Sequence, residues 1–95
     1  MRERDIESYL RDQVRDAGGR AMKWNSPGNS GVPDRIVFLP GKVTVFVETK
    51  APGKKPTALQ QSQHRKLAGL GHHVRVIDSR EQVDELLTEF REGRL

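Results

Sequence analysis

The stretch Asp34-Arg-Ile-Val-Phe-Leu-Pro-Gly-Lys-Val-Thr-Val-Phe-Val-Glu-Thr-Lys50 decides the fold. Two runs rich in β-branched and aromatic residues, 34–39 and 42–50, flank Pro40-Gly41, a tight-turn pair, so the segment predicts an antiparallel hairpin. Side chains alternate along a strand, which places Val43, Val45 and Val47 on one face and Thr44, Phe46, Glu48 and Lys50 on the other. The valine face asks for a core. The opposite face ends in a carboxylate and an ammonium two residues apart.

Outward from the hairpin, residues 3–17 predict an amphipathic helix with Ile6, Leu10, Val14 and Ala17 on one stripe, stopped by Gly18-Gly19. Arg20 to Trp24 reads as a short strand. Residues 25–33, Asn-Ser-Pro-Gly-Asn-Ser-Gly-Val-Pro, are a loop. On the other side, 51–56 is a basic Pro/Gly linker, and Thr57 is the expected N-cap of a helix running to about Leu70. Leu59, Gln63, Leu67 and Leu70 mark that helix's expected buried side, with Gln60 at the edge. Residues 73–77 form a further strand, and Ser79 caps a last helix carrying Val83, Leu86, Leu87 and Phe90. The order αβββαβα is α/β: a small mixed sheet flanked by helices, one domain over 1–95. The strand-helix-strand passage between 43 and 77 predicts a parallel crossover.

Length and composition bound the answer. At 95 residues there is room for one core, and the 23 Leu, Ile, Val and Phe residues are enough to fold it. Without cysteine there is no disulfide framework and no thiolate chemistry. No apolar run approaches the roughly 18 residues of a membrane span and the first residues lack a signal-peptide core, so a cytoplasmic protein with no membrane partner is expected. Charge is segregated: net −1 over 1–17, +8 over 18–77 and −3 over 78–95. Such a basic block is the footprint of a partner rich in phosphate. Its only two acids are Asp34 and Glu48.

Hydrolysis of a phosphodiester needs a divalent cation against the developing charge, a group to orient or deprotonate water, and basic side chains to hold the polyanion. Carboxylates are the hard oxygen ligands that Mg²⁺ or Mn²⁺ takes. Asp34 begins one strand and Glu48 ends its partner, so both reach one sheet edge with Lys50 beside them. Taken singly, Asp34 reads better as a turn aspartate and Glu48 with Lys50 as a same-face ion pair; it is the combination that points to chemistry. His64, His72 and His73 lack metal-site spacing and are expected at solvent or phosphate. Trp24 is expected in the core or as a platform beside the loop.

Pro33-Asp34, 13 intervening residues and Glu48-Thr49-Lys50 resemble the PD-(D/E)xK signature of the restriction-endonuclease-like superfamily. The context 23–35, with Gly-Val-Pro-Asp, and the run from Val47 to Gln60 narrow this: from Glu3 to about Leu87 the chain resembles the small stand-alone form of the VRR-NUC (virus-type replication-repair nuclease) domain. The resemblance implies a restriction-endonuclease-like fold, with Asp34 and Glu48 as metal ligands, the Thr49 carbonyl in the metal shell and Lys50 serving the attacking water. Gln60 rather than Gln61 would face the site, and Glu3 or Glu7 of the first helix would join it. It further implies a Mg²⁺- or Mn²⁺-dependent endonuclease, selective for branched DNA such as a Holliday junction and acting as a homodimer. Phe46, Phe90 and the last helix are candidates for the dimer interface. Lys23, Ser26, Asn29, Ser30, Arg35, Lys42, Lys54 and Lys55 are the expected contacts to the DNA backbone. The alternative is a non-catalytic nucleic-acid-binding module on the same fold; a sequence-specific restriction enzyme would need more surface than this chain has.

Overall fold

Helix α1 forms over Glu3–Asp16 because Ile6, Leu10 and Val14 recur at helical spacing and are all fully buried in the computed structural model of residues 1–95. Asp5 in its first turn accepts from the Arg2 amide at 2.8 Å. Its end is a Schellman motif: Gly18, at φ +88°, donates to the Arg15 carbonyl and Gly19 to the Val14 carbonyl, both at 2.9 Å. The chain then enters the sheet directly.

Four strands, β1 (Arg20–Lys23), β2 (Arg35–Leu39), β3 (Val43–Thr49) and β4 (His73–Ile77), lie in the order β1-β2-β3-β4. The first two pairings are antiparallel and β3 pairs with β4 in parallel, as the hairpin and the crossover require. The crossover carries helix α2 (Ala58–Gly69), and helix α3 (Arg80–Arg91) closes the order αβββαβα. The sequence-based expectation for the fold is therefore met. Lys42, expected to begin β3, sits instead in the turn at φ +65°.

Helices α1 and α3 pack on each other and on one face of the sheet. Between them lies a core of 11 residues: Ile6, Leu10, Val14, Val37, Leu39, Val45, Val47, Ile77, Val83, Leu86 and Leu87. The Tyr9 hydroxyl donates to Asp84 at 2.6 Å and joins the two helices at their outer rim.

Helix α2 departs from expectation. Leu59 and Leu70, placed on its buried side by periodicity, are 52% and 76% exposed, and its one buried residue is His64. The reason is the helix's position. It lies against β4 and the loop over 25–33 rather than over the valine core.

Two glycines give opposite expectations. A Cβ at Gly19 would stand 2.2 Å from the Phe38 carbonyl and 3.1 Å from Val14, both fixed by the sheet and core. Gly19→Ala is expected to cost at least about 1–3 kcal/mol in urea denaturation. At Gly69, in the last turn of α2, a Cβ meets nothing within 4 Å. Gly69→Ala is expected to gain about 0.5–1 kcal/mol in the same measurement.

Candidate active site

Arg35 pairs with Val47, so the next position along the antiparallel ladder sets Asp34 across from Glu48. Helix α1 brings a third element to this sheet end. Glu3 and Glu7, one turn apart, present carboxylate oxygens that lie with one of Asp34 within 4.8 Å of one another. Glu48 stands outside this trio, on the side of α2.

Thr49 organises the trio. Its amide donates to Asp34 Oδ1 at 3.1 Å, while its fully buried hydroxyl lies 2.8 Å from Asp34 Oδ2 and 3.0 Å from Glu7 Oε1. One hydroxyl proton serves one of those oxygens at a time. Arg35 approaches the remaining Glu7 oxygen, Nη2 to Oε2, at 3.6 Å.

Glu48 lies among polar side chains and is only 4% exposed. Lys50 Nζ lies 3.7 Å from its Oε2, on the same strand face two residues on. Gln60 Nε2 donates to that oxygen at 3.4 Å. The orientation of Gln60 is set by the helix cap: Thr57 Oγ1 accepts from the Gln60 amide at 3.2 Å, and Gln60 Oε1 accepts from the Thr57 amide at 2.9 Å. With the carbonyl oxygen so occupied, the side-chain NH₂ is left for Glu48. Gln61 instead turns to the Pro56 carbonyl. His64, one turn after Gln60, faces the other Glu48 oxygen, Nε2 to Oε1, at 3.7 Å.

Burial works against the charged forms here. Desolvation, then the neighbouring Asp34, pushes the Glu48 carboxyl up to about 7, against the opposing pull of Lys50. Asp34 is raised by burial in spite of its two bonds from Thr49, and Glu3 by burial and by the charges of Glu7 and Asp34. His64 is lowered, by desolvation first and then by Lys50. An all-oxygen trio beside the buried carboxylate of Glu48 is a donor set suited to a hard divalent cation.

The loop over 25–33 borders this site through α2. Ser30 offers its carbonyl to Gln63 Nε2 at 3.2 Å, and Gly31, at φ +89°, lies so close to Leu59 that a Cβ would come within 2.9 Å of it. Those contacts are where Leu59 and Gln63 are used. Asn29 Nδ2 donates to Ser26 Oγ at 3.0 Å, folding the loop tip on itself.

Of the expected backbone contacts, Lys23, Asn29, Ser30, Lys42, Lys54 and Lys55 are exposed and Ser26 is half-buried. Arg35 needs correction. It is 5% exposed and faces Glu7, so it is an internal counter-ion to the carboxylates. His64 needs correction as well: it is buried against Glu48 instead of standing in solvent. Trp24 is half-buried on Phe46, with ring centroids 5.3 Å apart, and His72 meets Phe46 edge-on at 5.7 Å. Lys42, Thr44, Phe46, His72 and Leu95 line a cavity of about 520 Å³ at the other end of β3, away from the carboxylates.

The raised Glu48 carboxyl has a thermodynamic consequence. Between pH 4.5, its ordinary value, and about 7 the folded chain retains a proton that the unfolded chain releases. Its contribution to stability is therefore complete below the first value and lost as pH rises through the second. Glu48→Gln, a neutral mimic of the protonated form, is expected to match the parent near pH 4.5. Above pH 7 without divalent cations it should exceed the parent by on the order of 2 kcal/mol, read as Tm against pH. A difference that stays flat with pH would contradict the shift.

No protein-family model matches the chain. It is 52% identical over 81 residues to "Putative nuclease p44" of Acyrthosiphon pisum secondary endosymbiont phage 1, an alignment that covers 85% of this chain and 87% of that protein. It is similar in structure to a solved "VRR_NUC domain", with a TM-score of 0.86 and 34% sequence identity over 93% of this chain and 96% of the other. Similarity of sequence and of fold over nearly the full length of both partners leaves one assignment: the chain belongs to the VRR-NUC family of nuclease domains.

Proposed function

We propose that this protein is a divalent-cation-dependent endodeoxyribonuclease whose single catalytic domain spans 1–95. The observation that carries the reading is the carboxylate trio of Glu3, Glu7 and Asp34 within 4.8 Å, with buried Glu48 and Lys50 beside it. The relative named a nuclease and the VRR_NUC structure support the same class of activity. Mg²⁺ or Mn²⁺ held by Asp34 and Glu48, with Glu3, Glu7 and the Thr49 carbonyl completing the set, would supply Lewis-acid stabilisation of the phosphoryl charge.

The chain's own residues do the rest. Lys50 orients the attacking water through Nζ. Gln60 and Thr49 hold Glu48 and Asp34 in place, and Arg35 offsets the charge of Glu7. The exposed Lys23, Lys42, Lys54 and Lys55 hold the DNA backbone, with Ser26, Asn29 and Ser30 of the loop donating to phosphate. Such contacts give affinity without sequence preference, which suits recognition of DNA shape. Branched DNA, a four-way junction among them, is the proposed substrate. Paired incision of a junction takes two active sites, so the acting form is a homodimer, with Phe46, Phe90 or α3 at its interface. The cytoplasm of a bacterial or phage-infected cell is where such a substrate lies. No helix is long and apolar enough to cross a membrane.

The test uses labelled four-way junction and matched linear duplex with Mg²⁺, Mn²⁺ or EDTA. Cutting is expected only with a cation and faster on the junction, and Asp34→Asn or Lys50→Ala is expected to lower the rate about 10³-fold or more. Binding without cutting on either DNA would overturn the nuclease reading in favour of a binding module. Lys54→Ala is expected to weaken binding on every sequence alike and to reduce the salt slope by about 1.

A further inference from the structure

A helix that crosses over a sheet normally buries an apolar stripe, yet the one buried residue of α2 is His64, at 8% exposure. Its Nε2 is shielded from solvent and has no hydrogen-bond partner. Glu48 Oε1 is likewise shielded and without a partner. These two atoms face each other at 3.7 Å. A buried donor or acceptor left unpaired costs about 1–3 kcal/mol. Two that confront each other about 0.8 Å beyond hydrogen-bond length are a bond waiting on a small approach. Gln60 is four residues earlier on the same helix face and already holds the other oxygen of the same carboxylate at 3.4 Å. The helix thus meets Glu48 with two prongs, one for each oxygen.

We propose that His64 is a positioning residue for Glu48. In the tautomer with its proton on Nε2 it donates to Oε1, and together with Gln60 it fixes the plane of the carboxylate, so that the lone pairs left over are directed at the cation. The imidazole ring is the reach this takes: from the helix axis an aliphatic side chain fills the space but gives no donor. Outer hydrogen bonds to metal ligands set ligand orientation and typically change metal affinity 10- to 100-fold. The proposal rests on the reading of Glu48 as a cation ligand, and the test separates the two.

Mn²⁺ affinity is measured by titration of the free ion in electron paramagnetic resonance, without DNA, on the parent, His64→Gln, His64→Leu and Glu48→Gln. His64→Leu is expected to bind Mn²⁺ 10- to 100-fold more weakly. His64→Gln, whose amide nitrogen reaches the place of Nε2, is expected to retain most of the affinity. In cleavage assays kcat is expected to follow the Mn²⁺ affinity while KM for DNA stays unchanged. If the leucine variant does not fold, His64→Asn takes its place with the same expected loss, its amide being too short to reach Oε1. Parent-like Mn²⁺ affinity in the leucine or asparagine variant, with affinity lost in Glu48→Gln, would overturn the proposal and leave Glu48 a ligand. Equal loss in His64→Gln and His64→Leu would overturn it too. Unchanged affinity in Glu48→Gln would remove the ligand reading itself, and the proposal with it.

Discussion

The antiparallel register of β2 on β3 places two carboxylates, Asp34 and Glu48, across from each other at the end of a sheet whose adjoining face is the apolar core. Much of the surrounding architecture answers that placement. Like charges close together and out of water favour protonation, and both carboxyls are raised. The groups around them reduce the strain without removing it. Thr49 supplies two donors to Asp34, Arg35 faces Glu7, and Lys50 and Gln60 share one oxygen of Glu48. None of these contacts except the Thr49 bonds is short. A site so arranged is stable enough to fold and is left with negative charge for a cation to neutralise.

Charge elsewhere in the chain acts on a different object. The stretch over 18–77 carries a net +8, yet that surplus does not keep Asp34 and Glu48 from being raised, because desolvation outweighs it locally. Exposed lysines beyond about 8–10 Å are screened from a buried carboxylate by the counter-ions of the solution. The same lysines act undiminished on a polyanion laid directly over them. The basic surface and the acidic site therefore coexist: the first suits phosphate, and the second, once neutralised, would admit it.

Strand alternation and turn chemistry made the hairpin legible, and clean apolar stripes did the same for α1 and α3. Alternation reaches further than the hairpin's valine face. The period that sets Val37 and Leu39 inward also sets Arg35 inward, and the period through Val43, Val45 and Val47 carries on to Thr49. An arginine and a threonine buried at the carboxylate end of two strands are thus readable as partners of those carboxylates. The buried face of helix α2 was not legible, because apolar periodicity marks what could be buried, and here Leu59 faces the loop and Leu70 solvent. The usable signal was polar: Gln60 and His64 are four residues apart, one helical turn, and share a face. Glu3 and Glu7 share the same spacing on α1, which is why the structure brings both to Asp34 and requires no choice between them.

The polar underside of α2 also explains how the helix can belong to the site at all. Helices α1 and α3 are fixed by the core residues they bury. Helix α2 instead contributes no residue to the cluster of 11, and it is held by β4, by the loop at Ser30 and Gly31, and by the carboxylate of Glu48. A helix attached by packing keeps its place whatever the charge at the sheet edge. One attached through Glu48 feels that charge directly, since the prongs of Gln60 and His64 end on the group whose ionisation burial opposes. The loop tied to α2 by Gly31 and Leu59 leads into Asp34, so the same attachment runs from one carboxylate through the helix to the other. The loop, the helix and both strand ends are therefore joined through the carboxylate cluster, and the apolar core of α1 and α3 gives them a fixed surface.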